Sequence, residues 1–199
     1  MTTTHFMLDI ETAGTRPGSV ILSIGATVFQ PELDGVFPLY SSGDGTSGPA
    51  QFHQYIDVDS CLNAGLLIDG HTFKWWMQQS DDARAQFSTS GDGEPLTDVM
   101  ANFCAWIEAL QPLKADRRVW AKGPDFDCVL VEQALLRCGL KAPWNHNAKR
   151  DVRTYCEAGG IDPNAEQFLK GTKHNALDDA ISQATAVQAA CRALQGNNA

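Results

Sequence analysis

Two carboxylates mark an otherwise apolar segment, Phe6-Met7-Leu8-Asp9-Ile10: Asp9 lies within it and Glu11 directly follows it. The segment reads as a short buried strand, on which residues two apart share a face, so the two acids project side by side about 6.5 Å apart. Burying both is costly unless a cation or another partner meets them. The tripeptide Asp-x-Glu is common by chance and decides nothing alone. Its position inside an apolar strand requires the fold to supply something that compensates the charge.

The remaining pattern predicts a mixed α/β chain. Ser19 to Phe29, rich in Val, Ile and Ala with Gly25 inside it, is a second strand, and Thr12 to Gly18 is the connecting turn. Gln51 to Val58 is a third, and the three form an antiparallel meander with Asp9 and Glu11 on its first strand. Ser41 to Pro49 is Ser/Gly-rich and reads as a flexible loop. A helical pattern runs from Thr72 to Phe87, followed by a loop over Ser88 to Pro95. From Leu96 to Leu110, residues Val99, Phe103, Trp106, Ile107 and Leu110 fall on one helical face. Arg117 to Ala121 is a short strand, Phe126 to Cys138 an amphipathic helix ended by Gly139, and Asn175 to Leu194 the last long helix. The expectation is a mixed central sheet, the meander plus parallel strands, flanked by helices. At 199 residues the chain is long enough for one substantial core, so residues 1–199 are expected to form a single domain.

Composition excludes some function classes. With 43% hydrophobic and 20% charged residues and no apolar run of membrane-spanning length, no membrane partner is expected. Met1 to His5 carry no secretory pattern, and the six cysteines form no Cys-x-x-Cys pair, so reduced thiols in a cytoplasmic protein are expected. The net charge of −9 leans against a phosphate-rich partner. Bound cations at a carboxylate cluster reverse the local sign, however. Basic residues also concentrate at Lys114, Arg117, Arg118 and Lys122, and at Lys149, Arg150, Arg153, Lys170 and Lys173. They either line a substrate path or are scattered solvated charges.

Two further acidic motifs follow the first in order: Gly-Pro-Asp-Phe-Asp at 123–127 and His-Asn-Ala-Leu-Asp-Asp-Ala at 174–180. With Leu-Asp-Ile-Glu-Thr at 8–12, they make the chain resemble a DEDDh-type 3′–5′ exonuclease of the DnaQ-like, ribonuclease H-like group. Thr72-Phe73-Lys74-Trp75-Trp76 and Arg150-Asp151-Val152-Arg153-Thr154 are similar to the phage exonuclease A and mycobacterial exoribonuclease-like branch. The resemblance implies a ribonuclease H-like fold and two divalent cations, Mg²⁺ or Mn²⁺, held by Asp9, Glu11, Asp127 and Asp179. It also implies hydrolysis from the 3′ end of single-stranded DNA or RNA, DNA being the first expectation, with release of nucleoside 5′-monophosphates. In that scheme Asp9 bridges the ions, Glu11 and Asp179 complete one, Asp127 supports the other, and His174 is the general base. A non-catalytic nucleic-acid-binding domain is the rival of another class.

Neighbouring residues need separate readings. Asp125 is read as a helix cap, leaving Asp127 for the metal. Asn175 as N-cap places Asp178 at the third helical position, where it favours the helix dipole and completes a reciprocal cap, leaving Asp179 for the metal. Gly123 serves either a close approach of the backbone to the first strand or the substrate, or a simple turn. Trp75 and Trp76, adjacent on a helix, point about 100° apart, so one packs inside while the other lies partly exposed. The exposed one either serves the core edge or stacks on a terminal base. Thr12 and Lys122 join them as candidate substrate contacts. Asp151 and Arg153 support the site, make a subunit contact in a homodimer, or form a surface ion pair.

Overall fold

A computed structural model describes residues 3–41 and 47–196. Five strands form the main sheet: β1 (Thr4–Thr12), β2 (Ile21–Phe29), β5 (Gln51–Tyr55), β6 (Arg117–Ala121) and β7 (Lys149–Asp151). Their order is β5-β2-β1-β6-β7. The β1-β2 and β2-β5 pairs are antiparallel, and β6 pairs parallel with β1 and with β7. The expected meander and its parallel extension are therefore present. The sheet carries helices α1 (Val58–Asn63), α2 (Gly70–Trp76), α3 (Asp81–Gly91), α4 (Leu96–Leu110), α5 (Asp127–Arg137), α6 (Val152–Ala158) and α7 (Ala176–Gly196).

Alternation along β1 divides the molecule. Phe6, Leu8 and Ile10 enter a core built with α4 and α5, whereas Met7 enters a second core with α6 and α7. Asp9 and Glu11 continue the Met7 face, so the acids point to the α7 side. Small residues let α7 lie close to the sheet: Ala176, Ala180 and Ala184 are fully buried. Gly25 pairs with Asp9 across the β1-β2 ladder, and a Cβ there would sit 2.2 Å from the Ala176 carbonyl carbon. The absence of that atom allows the α7 N-terminus to rest on the sheet beside Asp9.

Three expectations change. The helix expected over Thr72 to Phe87 is two helices: Asp69 caps α2 through the amides of His71 and Thr72, and Ser80 caps α3 through the Ala83 amide. The loop expected over Ser41 to Pro49 is flanked by a local ladder of β3 (Leu39–Ser41) and β4 (Ser47–Pro49), while its tip, 42–46, lies outside the described residues. Asp125 does not cap α5, which starts at Asp127 and has no side-chain cap bond. All six cysteines are free thiols. Among the described residues no helix is long and apolar enough to cross a membrane.

Candidate active site

The five acid and histidine positions named from sequence meet in one cleft of about 320 Å³, lined by Asp9, Glu11, Asp127, His174 and Asp179 together with Lys122, Phe126, Arg153, Lys173 and Gln183. β1 delivers Asp9 and Glu11. β6 stops pairing with β1 at Met7, leaving the edge of β1 beyond it open. The Asp127 carboxylate fills part of that gap by accepting from the Ile10 amide and from its own. At Gly123 the backbone turns with φ +123°, in accord with the turn reading; the nearest group a Cβ would meet, at 2.6 Å, is the Arg153 guanidinium and not the first strand.

α7 delivers Asp179, and the segment before it delivers His174. Asn175 caps α7 by accepting from the amides of Leu177 and Asp178 at 3.1 and 3.2 Å. Asp178 does not close a reciprocal cap; its carboxylate accepts from the Thr172 amide at 2.7 Å and ties down the approaching segment. His174 has φ +63°, a left-handed conformation unusual outside glycine, and its amide donates to Asp179 Oδ2 at 3.1 Å. Ligand atoms of Glu11, His174 and Asp179 all lie within 4.8 Å of one another.

The tryptophans divide as expected. Trp76 is buried and its indole N–H donates to the Thr12 carbonyl at 2.8 Å; Trp75 is 43% exposed. Both meet the His174 ring edge-on, at 5.2 Å from Trp75 and 5.9 Å from Trp76. They line a second groove of about 450 Å³ with Thr12, Thr15, Asp69 and His71, and it shares Ile10, Glu11 and Phe126 with the cleft.

Electrostatics follow from crowding the acids. Burial, then the charges of Asp127, Glu11 and Asp179, push Asp9 well above the usual carboxylate range, against the opposing bond from Gln183. Burial, then Asp179 and Asp127, take Glu11 to about 8. Burial takes Asp127 to about 7 despite its two amide bonds. Asp179 is raised by burial, and His174 is lowered by burial, with Asp179 opposing. Burial of all four carboxyls, with repulsion from the neighbouring acids added at Asp9 and Glu11, suits divalent cations, hard ions that take oxygen ligands and relieve the repulsion. The donor set fits such ions.

One participant was not anticipated. Gln183, buried on α7 one turn after Asp179, donates to Asp9 Oδ1 at 2.7 Å, and its buried Oε1 has no hydrogen-bond partner among the described residues. The i, i+4 interval from Asp179 was the available signal. The basic residues separate by role: Lys122, Arg153 and Lys173 line the cleft. Arg117, by contrast, is buried and bonds to the carbonyls of Gln111, Pro112 and Pro143, and Lys149 pairs with Glu132 at 2.7 Å. Asp151 caps α6 through the amides of Arg153 and Thr154; it forms no ion pair with Arg153.

Residues 4–191 match the family described as the 3′–5′ exoribonuclease Rv2179c-like domain. The chain belongs to that family. It is thus a member of a nuclease family, with the ribonuclease H-like exonuclease fold. Among solved structures it is similar to apo exonuclease I at TM-score 0.58 and 12% identity, covering 95% of this chain and 42% of that one. It is also similar to E. coli exonuclease I in complex with a dA13 oligonucleotide, at 0.57 and 12%, covering 94% and 40%. Cell-death related nuclease 4 matches at 0.55 and 13%, covering 94% and 63%. The chain spans less than two thirds of each of these proteins, which share its fold. No curated protein matches it in sequence.

Proposed function

We propose that the Rv2179c-like chain hydrolyses single-stranded nucleic acid from a free 3′ end, using Mg²⁺ or Mn²⁺ and releasing nucleoside 5′-monophosphates. The observation that carries the reading is the convergence of Asp9, Glu11, Asp127 and Asp179 with His174 in one cleft. Two bound divalent cations would neutralise the scissile phosphate and stabilise the attacking and leaving oxygens. The four carboxylates would hold them, and Gln183 fixes the Asp9 oxygen by its 2.7 Å bond. His174, lowered in basicity and therefore neutral at pH 7, takes the proton of the attacking water as its oxygen bonds to phosphorus and the 3′-oxygen of the preceding nucleotide leaves. Lys122, Arg153 and Lys173 offer charge to the phosphates. Trp75, exposed in the adjoining groove, offers a stacking face for the terminal base.

The family's description favours RNA as the strand. DNA, the first expectation from sequence, is the second reading, supported by the shared fold with an exonuclease I bound to a DNA oligonucleotide. Matched RNA and DNA strands labelled at the 5′ end, with free or phosphate-blocked 3′ ends, test both. The reading expects a ladder shortening from the 3′ end only when that end is free. Cleavage of blocked strands at internal positions would overturn it, and the relative rates choose the sugar.

A further inference from the structure

We propose that a basic pocket on the other side of α6, around Arg118 and Arg150, is a second binding site for the strand whose 3′ end occupies the cleft, holding backbone phosphates of upstream nucleotides. This rests on the nucleic-acid reading above. Sheet register assembles the pocket: β6-β7 pairing sets Trp120 opposite Arg150, β1-β6 pairing sets His5 opposite Arg118, and Arg118 shares the Trp120 face by two-residue alternation. Trp120 forms the floor, donating its indole N–H to His5 Nδ1 at 2.9 Å and meeting Tyr155 edge-on at 5.2 Å. Trp120, Arg150 and Tyr155 with Lys149, Asp151, Thr154 and Ala158 line a space of about 330 Å³, and Arg118 stands beside it on the same sheet face, where its charge acts on Arg150.

The two guanidiniums are fixed rather than neutralised. Arg118 Nη1 donates to the carbonyls of Ala115 and Arg117 at 2.8 and 2.9 Å, and Arg150 Nη1 donates to those of Asn147 and Lys149 at 2.9 and 2.8 Å. Neither takes part in an ion pair among the described residues. A guanidinium has five N–H donors, so each retains some beyond the one nitrogen used here. The Asp151 carboxylate, which also lines the pocket, is turned to the Arg153 and Thr154 amides and the Thr154 hydroxyl, and exposed Glu32 acts on His5 and Tyr155. The Lys149 ammonium is committed to Glu132. Holding two like charges together is unfavourable until an anion bridges them, and planar guanidiniums match phosphate oxygens.

The shared helix selects a polymer as the ligand. Arg153 of α6 lines the cleft, while the next residues, Thr154 and Tyr155, line the pocket. Adjacent helical positions diverge by about 100° around a cylinder about 10 Å across, so a strand ending in the cleft reaches the pocket within a few nucleotides.

The test compares the full chain with the double variants Arg118→Gln/Arg150→Gln and Arg118→Lys/Arg150→Lys, on a dinucleotide and on a long single strand. For the Gln pair, KM for the long strand should rise several-fold while dinucleotide turnover is unchanged. The slope of log Kd against log salt, from fluorescence anisotropy, should fall by about 1.4, at ~0.7 for each phosphate that is no longer neutralised. The Lys pair should retain most of the slope. Equal losses on both substrates, an unchanged slope, or a change in mass by light scattering, which would mark an interface between two copies, would each overturn the proposal. If the Gln pair loses its circular-dichroism signature, Arg150→Gln alone should lower the slope by about 0.7. If the wild type hydrolyses nothing while the slope still falls, the active-site reading fails and the pocket stands.

Discussion

At His174 two influences compete: burial among the tryptophans weakens the ring as a base, and the Asp179 carboxylate strengthens it. Its left-handed backbone is a conformation that costs about 1–3 kcal/mol outside glycine and persists where the surroundings enforce it. Removing the ring should therefore separate rate from binding. For His174→Ala we expect a loss of about 10²- to 10⁴-fold in turnover with oligonucleotide and divalent-ion affinity retained. Parallel loss of ion affinity, read by titration calorimetry, would make His174 a ligand instead. Gln183→Ala should leave the fold intact and weaken Mn²⁺ affinity or turnover by about 10- to 100-fold, as loss of a hydrogen bond to a ligating carboxylate does. An unchanged Mn²⁺ isotherm and rate would remove Gln183 from the site. The acids and His174 were legible because three ordered motifs resemble the DEDDh pattern: Asp9 and Glu11 two apart on a strand, Asp127 directly after an aromatic residue, and His174 five residues before Asp179. Gln183 was not, because a glutamine within a run of alanines has no such signature until the helix face is known.

Elements were legible where burial imposes a period and not where it is absent. β7 is Lys-Arg-Asp, an edge strand with no apolar residue, and neither it nor the seven-residue α6 shows a pattern. The break between α2 and α3 passes through two glutamines, good helix formers; only Ser80 before two aspartates marked the restart. Gly25, by contrast, was visible in its strand, but its purpose needed the packing of α7. Gly25→Ala places a methyl against the Ala176 and Leu177 backbone. It should cost about 1–3 kcal/mol by overpacking and, by lifting the α7 N-terminus, lower activity even where the protein remains folded. Thermal unfolding and turnover below the transition test this together; full activity in a destabilised protein would separate the α7 seat from the cleft.

Across the whole molecule, the net charge of −9 and the crowded carboxyls make stability depend on pH and ions. Glu11 and Asp127, taken to about 8 and about 7, keep protons to higher pH when folded than when unfolded. The folded state binds more protons over that interval, so stability falls as pH rises. His5, His53 and His174 are shifted downward and act in the opposite direction, below their ordinary 6.5. From about pH 6.5 to about pH 8 the carboxyls therefore dominate. In chelator the Tm should drop over that range, Glu11→Gln should flatten the drop, and Mg²⁺ or Mn²⁺ should restore more at the alkaline end. A Tm rising with pH would contradict the crowding of these acids. The central claim is that this carboxylate cluster holds divalent ions for hydrolysis at a 3′ end. Its most direct measurement is digestion of a 5′-end-labelled single strand by chelator-treated protein, wild type and Asp9→Asn, before and after addition of Mn²⁺. The account predicts no product without the ion, a 3′-shortening ladder from the wild type with it, and none from a folded Asp9→Asn protein. A ladder in chelator, or an equal one from Asp9→Asn, would contradict it.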